Sequence, residues 1–208
     1  MNRRHFVFAT TSAGAALALA ACGDKKGPDT AAAAAATAPA DAKMPVRDAY
    51  ESAARASGFS VGAMMAANTV FVFFDPTCPH CAALWTNAKP LATKLKLVWI
   101  PIGWLQRQSG PQAATILSAP DPAAAMNENE TSVLEHRGGI SVPSTLSDDV
   151  LAKVKANTDL FNKTGADSVP LIVYKNGRTG EYGTHAGAVS AEQLSAMAGI
   201  GTLSLIHI

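Results

Sequence analysis

The residues Cys78-Pro79-His80-Cys81 put two thiols three positions apart, within one turn of a helix. Four chemistries use that spacing: half of a zinc site, a covalent haem anchor, a structural staple, and a dithiol that opens and closes as a disulfide. Zinc needs four ligands, usually from a second such pair or two histidines at short spacing, whereas His136 and His185 stand alone in the chain. A haem anchor needs histidine directly after the second cysteine, where this chain has Ala82. A staple across so short a loop removes little entropy from the unfolded chain. No metal or other cofactor is expected. The redox reading is favoured, with a permanent disulfide in a non-catalytic exported binding module as its rival.

Redox work needs a thiolate, so the attacking cysteine must have a depressed pKa. Cys78 is placed at the start of a helix, where unpaired N–H groups and the helix dipole favour negative charge. Cys81 lies one turn further in and is expected to resolve the mixed disulfide. Pro79 suits a first helical turn. His80 is expected to donate a hydrogen bond or a positive charge to the Cys78 sulfur, and a more stable thiolate makes the disulfide a stronger oxidant. Thr77 is expected to cap the helix. Asp75 lines the approach to Cys78, and the sequence leaves open whether it orients the thiol, takes its proton or caps.

Holding these groups takes a strand, a turn and a helix. Residues 70–74, Val-Phe-Val-Phe-Phe, are apolar without alternation, as in a strand covered on both faces. Residues 78–95 read as a helix presenting Leu84, Trp85, Ala88 and Leu91, kinked at Pro90. Residues 97–102 read as a second buried strand. A helical block spans 110–165, broken at Pro120, Pro122, Gly138-Gly139 and Pro143, with Asp121 as an N-cap before Pro122. Its longest helix starts at Ser147-Asp148-Asp149, presents Val150, Leu151, Val154, Leu160 and Phe161, and stops at Gly165. Residues 170–174 form a strand, Asn176-Gly177 a two-residue turn, residues 178–184 the returning strand, and 191–198 a closing helix. Ahead of all this, 45–57 holds a short helix with Val46, Ala49, Tyr50, Ala53 and Ala54 on one face. The result is a mixed α/β domain with one sheet and helices on its faces.

The chain has 208 residues, 48% of them hydrophobic, enough for one domain with a core and appended sequence. A formal charge of +1 and 6% aromatic residues give no basic stripe for nucleic acid. Residues 1–21 read as a signal peptide: Arg3-Arg4 precedes an apolar stretch, 6–21, too short for a permanent membrane span. Asn2-Arg3-Arg4-His5-Phe6-Val7 resembles a twin-arginine export signal. Leu19-Ala20-Ala21-Cys22 is similar to a lipoprotein processing site, which implies a lipid on Cys22 and a membrane anchor, with Gly23 leaning toward the outer membrane. Residues 22–45 are the lipidated cysteine and an Ala/Pro-rich tether, 46–200 the folded domain, and 201–208 a tail that resembles a translated sequencing-adapter remnant. With Cys22 lipidated, Cys78 and Cys81 are the cysteines left to the domain.

Val169-Pro170 opens the strand that follows the helical block. Together with the CxxC helix it makes the chain resemble the thioredoxin superfamily. That resemblance implies an α/β thioredoxin-like fold with a helical insertion between the CxxC-side strands and the cis-proline strand. It also implies that Pro170 is cis and packs on the active-site disulfide, leaving the Val169 backbone to pair with a substrate chain. More narrowly, residues 73–81, Leu84-Trp85, Ala113-Ala114-Thr115-Ile116-Leu117, Asp121-Pro122 and Gly138-Gly139 resemble the catalytic domain of periplasmic thiol:disulfide interchange proteins of the DsbG/DsbC type, over roughly 66–200.

The resemblance implies a periplasmic oxidoreductase that reduces or isomerises disulfides, or reduces sulfenylated cysteines, in exported proteins. A membrane redox partner, DsbD-like or DsbB-like, would reset it. Two features depart from the family. Its N-terminal dimerisation domain has no counterpart between Cys22 and Gly58, so a monomer is expected. Pro79-His80 and Val169 are more like the oxidant DsbA, so a thiol oxidase is the alternative and the direction of electron flow stays open.

Overall fold

The computed structural model describes residues 43–201. The expected signal peptide, Cys22, most of the tether and the tail beyond Gly201 lie outside the described residues. Among those described, no helix is long and apolar enough to cross a membrane.

Strand β2 (Thr69–Phe74) is the centre of the fold, and its sequence explains why. Val70 to Phe74 are all buried, so both faces of the strand need cover. The sheet order is β1-β3-β2-β4-β5, with β1 at Phe59–Gly62, β3 at Lys96–Pro101, β4 at Leu171–Lys175 and β5 at Tyr182–Ala186. Parallel β2 and β3 pair Thr69 with Lys96 through Phe74 with Pro101. The other three pairings are antiparallel, β4 joining β2 with Phe73 opposite Leu171.

Alternate side chains of β2 reach different helices. Phe71 meets Tyr50 of α1 (Val46–Ala53) edge to face, and Phe73 packs on Phe161 of α5 (Asp148–Lys163). On the opposite face Phe74 meets Trp99 of β3, which in turn meets Trp85 of α2 (Pro79–Ala88) with ring centroids 5.0 Å apart. Each such buried ring contributes roughly 1.5–3 kcal/mol through removal from water. Helices α3 (Ser109–Ser118) and α4 (Pro122–Leu134) complete the insertion between β3 and β4, and α6 (Ala191–Ala198) closes the chain. Asp121 and Ser147 cap α4 and α5 as the sequence predicts, accepting from the N–H groups of Ala124 and Val150.

Three local expectations are corrected, and one strand is added. The CxxC helix does not run to 95 with a kink. It ends at Ala88, and Pro90 sits in a single 3-10 turn, Lys89–Leu91, because proline has no N–H to continue the α ladder. Strand β1 has little signature in the sequence, since Phe59-Ser60-Val61-Gly62 is short and weakly patterned; β3 holds it as an edge. Gly62 leaves it at φ +99°, where a Cβ would meet the Leu95 carbonyl oxygen at 2.3 Å. The hairpin is wider than two residues. Asn176 Oδ1 accepts from the N–H groups of Arg178 and Thr179, Gly177 donates its N–H to Ala198 O of α6, and Gly180 takes the left-handed conformation. Contact with α6 therefore replaces the tight turn, and β5 starts only at Tyr182. Finally, Val46, Ala54 and Leu151, expected on buried faces, are exposed.

Candidate active site

The turn from β2 to α2 delivers Cys78 to the helix N-terminus. Cys78 is the N-cap, extended at φ −91°, ψ 115°, and Pro79 follows in the first turn. The Cys78 N–H donates to Asp75 O at 3.0 Å, and its own carbonyl accepts from Cys81 and Ala82. Both cysteines are free thiols; Cys78 is 4% exposed and Cys81 fully buried behind it. The Val169–Pro170 bond is cis, and the Val169 carbonyl accepts from Cys78 Sγ at 3.6 Å. The structure thus brings Cys78, Cys81, Val169 and Pro170 together from segments about ninety residues apart.

Electrostatics divide the labour between the thiols. A hydrogen bond from the Cys81 side chain, then the N–H groups of Cys81 and His80 and the nearby His80 charge, outweigh burial and hold Cys78 down at about 6. Burial and the neighbouring Cys78 push Cys81 well up. Cys78 is therefore the thiolate and Cys81 the protonated partner. His80 acts on the Cys78 sulfur through both its backbone N–H and its charge, the N–H contributing more, while its side chain is exposed. Alkylation of reduced protein by iodoacetamide should follow the thiolate fraction, flat above pH 7 and falling about tenfold per unit well below pH 6. A midpoint near the free-thiol value of about 8.5 would contradict this arrangement.

Thr77 does not cap α2. Its hydroxyl donates to Asp75 Oδ1 at 2.8 Å and lies 3.2 Å from Ser109 Oγ, because the β conformation of Cys78 makes Cys78 the cap. Asp75 is fully buried. Its Oδ1 accepts from the N–H and hydroxyl of Thr77 and from Ser109 Oγ, and its Oδ2 from the N–H groups of Trp104 and Leu105, all at 2.8–2.9 Å. Asp75 is thus the fastener between the β2–α2 turn and the loop after β3. That loop presents Trp104 and Leu105 as exposed apolar residues.

The helical insertion adds a second fastener. Asn129 of α4 donates to Pro76 O at 2.9 Å and accepts from Ile140 N–H at 2.8 Å. Gln112 of α3 donates to the carbonyls of Gly138 and Ile140. Gly139, at φ +93°, must lack a side chain, since a Cβ would sit 2.8 Å from both Asn129 Oδ1 and Gln112 Nε2. The Gly138-Gly139 pair seen in the sequence therefore lets the loop after α4 lock α3 and α4 beside the CxxC turn. A cleft of about 260 Å³ opens here, lined by residues including Thr77, Pro79, Gln106 and His136.

Sequence reasoning missed Glu130. It is 1% exposed, its Oε2 has no partner, and burial first, with the charges of Cys78 and Asp75 adding, pushes its carboxyl up to about 9. One signal was available: Met126, Glu130 and Val133 share the buried face of α4, so Glu130 sits where the helical period demands an apolar residue. Folding takes up a proton at Glu130 between the ordinary carboxylate range and pH 9. Stability should accordingly fall as pH rises through that window, by up to about 1.4 kcal/mol per unit. Urea titrations at several pH values should show the slope flattened in Glu130→Gln.

No protein-family model matches the chain. It is 33% identical over 110 residues to the thiol:disulfide interchange protein DsbG of Escherichia coli (strain K12), a match covering 50% of this chain and 42% of that protein. It is 31% identical over 144 residues to DsbG of Pseudomonas aeruginosa, covering 64% and 52%. The chain thus spans about half the length of the curated relatives it matches. Among solved structures, the catalytic domain of Proteus mirabilis ScsC superposes with a TM-score of 0.56 at 20% identity, over 74% of this chain and 96% of that one. That likeness shows the thioredoxin-like fold, and over the matched stretches the sequence is similar to thiol:disulfide interchange proteins of the DsbG type.

Proposed function

We propose that this protein is a periplasmic thiol–disulfide oxidoreductase that reduces or isomerises disulfides, or reduces sulfenylated cysteines, in exported proteins. Cys78 attacks a substrate sulfur to form a mixed disulfide, and Cys81 displaces the substrate thiolate and closes the Cys78–Cys81 disulfide. Val169 offers its backbone to the substrate chain beside Cys78, and Pro170 sets that approach. Trp104, Leu105 and the cleft by Pro79 give an unfolded segment apolar and polar footing. A lipid on Cys22 would tether the domain to a membrane, and a membrane reductase would return the site to its dithiol form.

The observation that carries this reading is the asymmetry of the thiols, a stabilised Cys78 thiolate in front of a fully buried, protonated Cys81. The oxidase reading keeps support from Pro79-His80 and from Val169 before Pro170.

A redox titration of the full chain against glutathione tests both. The expected result is ready exchange and a potential between about −180 and −270 mV. A value near about −120 mV would favour the oxidase instead. A potential below about −300 mV without exchange would make the disulfide structural.

A further inference from the structure

Helix α4 ends in a way that stability alone does not explain. The His136 N–H donates to Val133 O at 3.0 Å and the Arg137 N–H to Ser132 O at 2.8 Å, the paired bonds that close a helix on a left-handed residue. Helix α6 closes with the same pair, Gly199 N–H to Ala196 O and Ile200 N–H to Ser195 O, and its left-handed residue is glycine. In α4 that residue is His136, at φ +58°, the one non-glycine residue with positive φ among those described. A Cβ in this conformation costs energy that glycine avoids. Glycine would serve stability better, so the imidazole is the feature to account for.

His136 lines the cleft of about 260 Å³ beside the CxxC turn, together with Thr77, Pro79, Gln106, Gln108 and Val133. Thr77 and Pro79 flank Cys78, so the cleft starts one residue from the attacking cysteine. Both of its walls are held before any substrate arrives. The 106–108 wall is tied to the CxxC turn through Asp75, which accepts from Leu105 N–H, and through the Ser109 hydroxyl, which accepts from Gln106 N–H and donates to Asp75. The 133–138 wall is tied by the closure of α4 and by Gln112, which donates to Gly138 O. A ligand entering a cleft built this way orders little new structure, which keeps the cost of binding low.

The cleft offers N–H donors under a positive rim. The Gln106, Gln108 and His136 side chains are exposed, and each can donate. The charged residues next in sequence to the lining ones are His80, Arg107, Glu135 and Arg137, all exposed. Glu135 and Arg137 pair with each other, so Arg107, joined by His80 when protonated, sets the sign of the rim. Asp75 contacts Thr77, but its charge is already met by five donors.

We propose that this cleft is a substrate subsite for a carboxylate side chain, an aspartate or glutamate next to the cysteine that Cys78 attacks. The assignment rests on the redox reading above and adds a substrate preference to it. In the mixed disulfide the substrate sulfur is bonded to Cys78 Sγ, and the neighbouring acidic side chain enters among the Gln106, Gln108 and His136 side chains. N–H donors bind a carboxylate more strongly than they bind a neutral amide, and a lysine in the same place meets like charge at Arg107. His136 binds and does not react; bond making and breaking stay with the two cysteines.

The test uses the reduced full-length protein and short peptides whose single cysteine is blocked as a thiopyridyl disulfide, with aspartate, asparagine or lysine beside it on either side. Thiopyridone release at low ionic strength reads the rate. Dividing each rate by that of the same peptide with dithiothreitol removes intrinsic reactivity. Aspartate peptides should react about 5- to 30-fold faster than asparagine peptides, with lysine peptides slowest. His136→Gly should lower the aspartate-to-asparagine ratio while keeping or raising the urea midpoint, since glycine suits the left-handed position. Arg107→Gln should lower the aspartate-to-lysine ratio. Equal normalised rates for the three peptide sets in wild type would overturn the subsite and leave the redox reading intact. An aspartate preference unchanged in both variants would overturn it as well, because the preference would then arise elsewhere. A wild type that reacts with no peptide would instead remove the redox reading itself. Should His136→Gly or Arg107→Gln fail to fold, the His136 ring can be followed by proton NMR in Cys81→Ser adducts: its signals are expected to differ between the aspartate and lysine adducts, and identical signals overturn the proposal.

Discussion

Cys78→Ser abolishes thiol–disulfide exchange, and Cys81→Ser stops turnover but accumulates a covalent protein–substrate adduct that thiol reductants release. The asymmetry follows from where the two sulfurs sit. Cys78 is the N-cap, stabilised as a thiolate by the Cys81 side chain and by N–H groups of the first turn, beside the Val169 carbonyl. Serine there has an alkoxide far too basic to form near neutrality, so the first bond to substrate is never made. Cys81 is buried and protonated; removing it leaves the first attack possible but deletes the displacement that frees the substrate. Cys81→Ala, which has no side-chain donor, also removes the leading stabiliser of the Cys78 thiolate, so Cys78 in that variant should titrate above its wild-type value of about 6. Non-reducing gels after incubation with a disulfide-bonded protein, with and without dithiothreitol, read the outcome. Full turnover by Cys78→Ser would dismiss the mechanism.

The second large effect is expected at Asp75, and it is one of stability. Five donors converge on a fully buried carboxylate, three on Oδ1 and two on Oδ2. Asparagine has nearly the same shape but only one acceptor oxygen, so Asp75→Asn must point its NH₂ either at the Trp104 and Leu105 N–H groups or at the Thr77 and Ser109 donors. Donors facing donors without solvent lose their hydrogen bonds and gain repulsion. The loss should be about 2–4 kcal/mol, a large part of a typical domain stability of roughly 5–15 kcal/mol. Urea unfolding would show it as a lower midpoint with an unchanged slope. A shift below about 0.5 kcal/mol would mean that the carboxylate does not fasten the two loops together.

Several parts of the site are legible in the amino-acid sequence because their information is local. The paired cysteines, the apolar run that ends beside them and Pro79 in the first turn are properties of about a dozen consecutive residues. Caps at Asp121 and Ser147 are similarly short-range, as each side chain bonds an N–H three positions on. Val169-Pro170 is legible only through the family resemblance, and the fold then places the Val169 carbonyl against Cys78. The hairpin fails as a local inference for a clear reason: Asn176-Gly177 has the composition of a tight turn, but α6 claims the Gly177 N–H.

That a strand feeds a CxxC helix inside a mixed α/β domain is thus written in the residues alone, since periodicity and helix-end chemistry act over a few positions. The roles of Asp75 and Glu130 are not, because they arise when distant segments meet in the folded chain. The partners of Asp75 that join the two loops are the backbone of Trp104 and Leu105 and the Ser109 hydroxyl, about thirty residues away, and Glu130 is buried on a helix of the distant insertion. The charge and hydrogen-bonding state of a buried carboxylate is set by what the fold places around it. For Asp75 that is a full set of donors, and for Glu130 it is a buried setting that leaves one oxygen unpartnered.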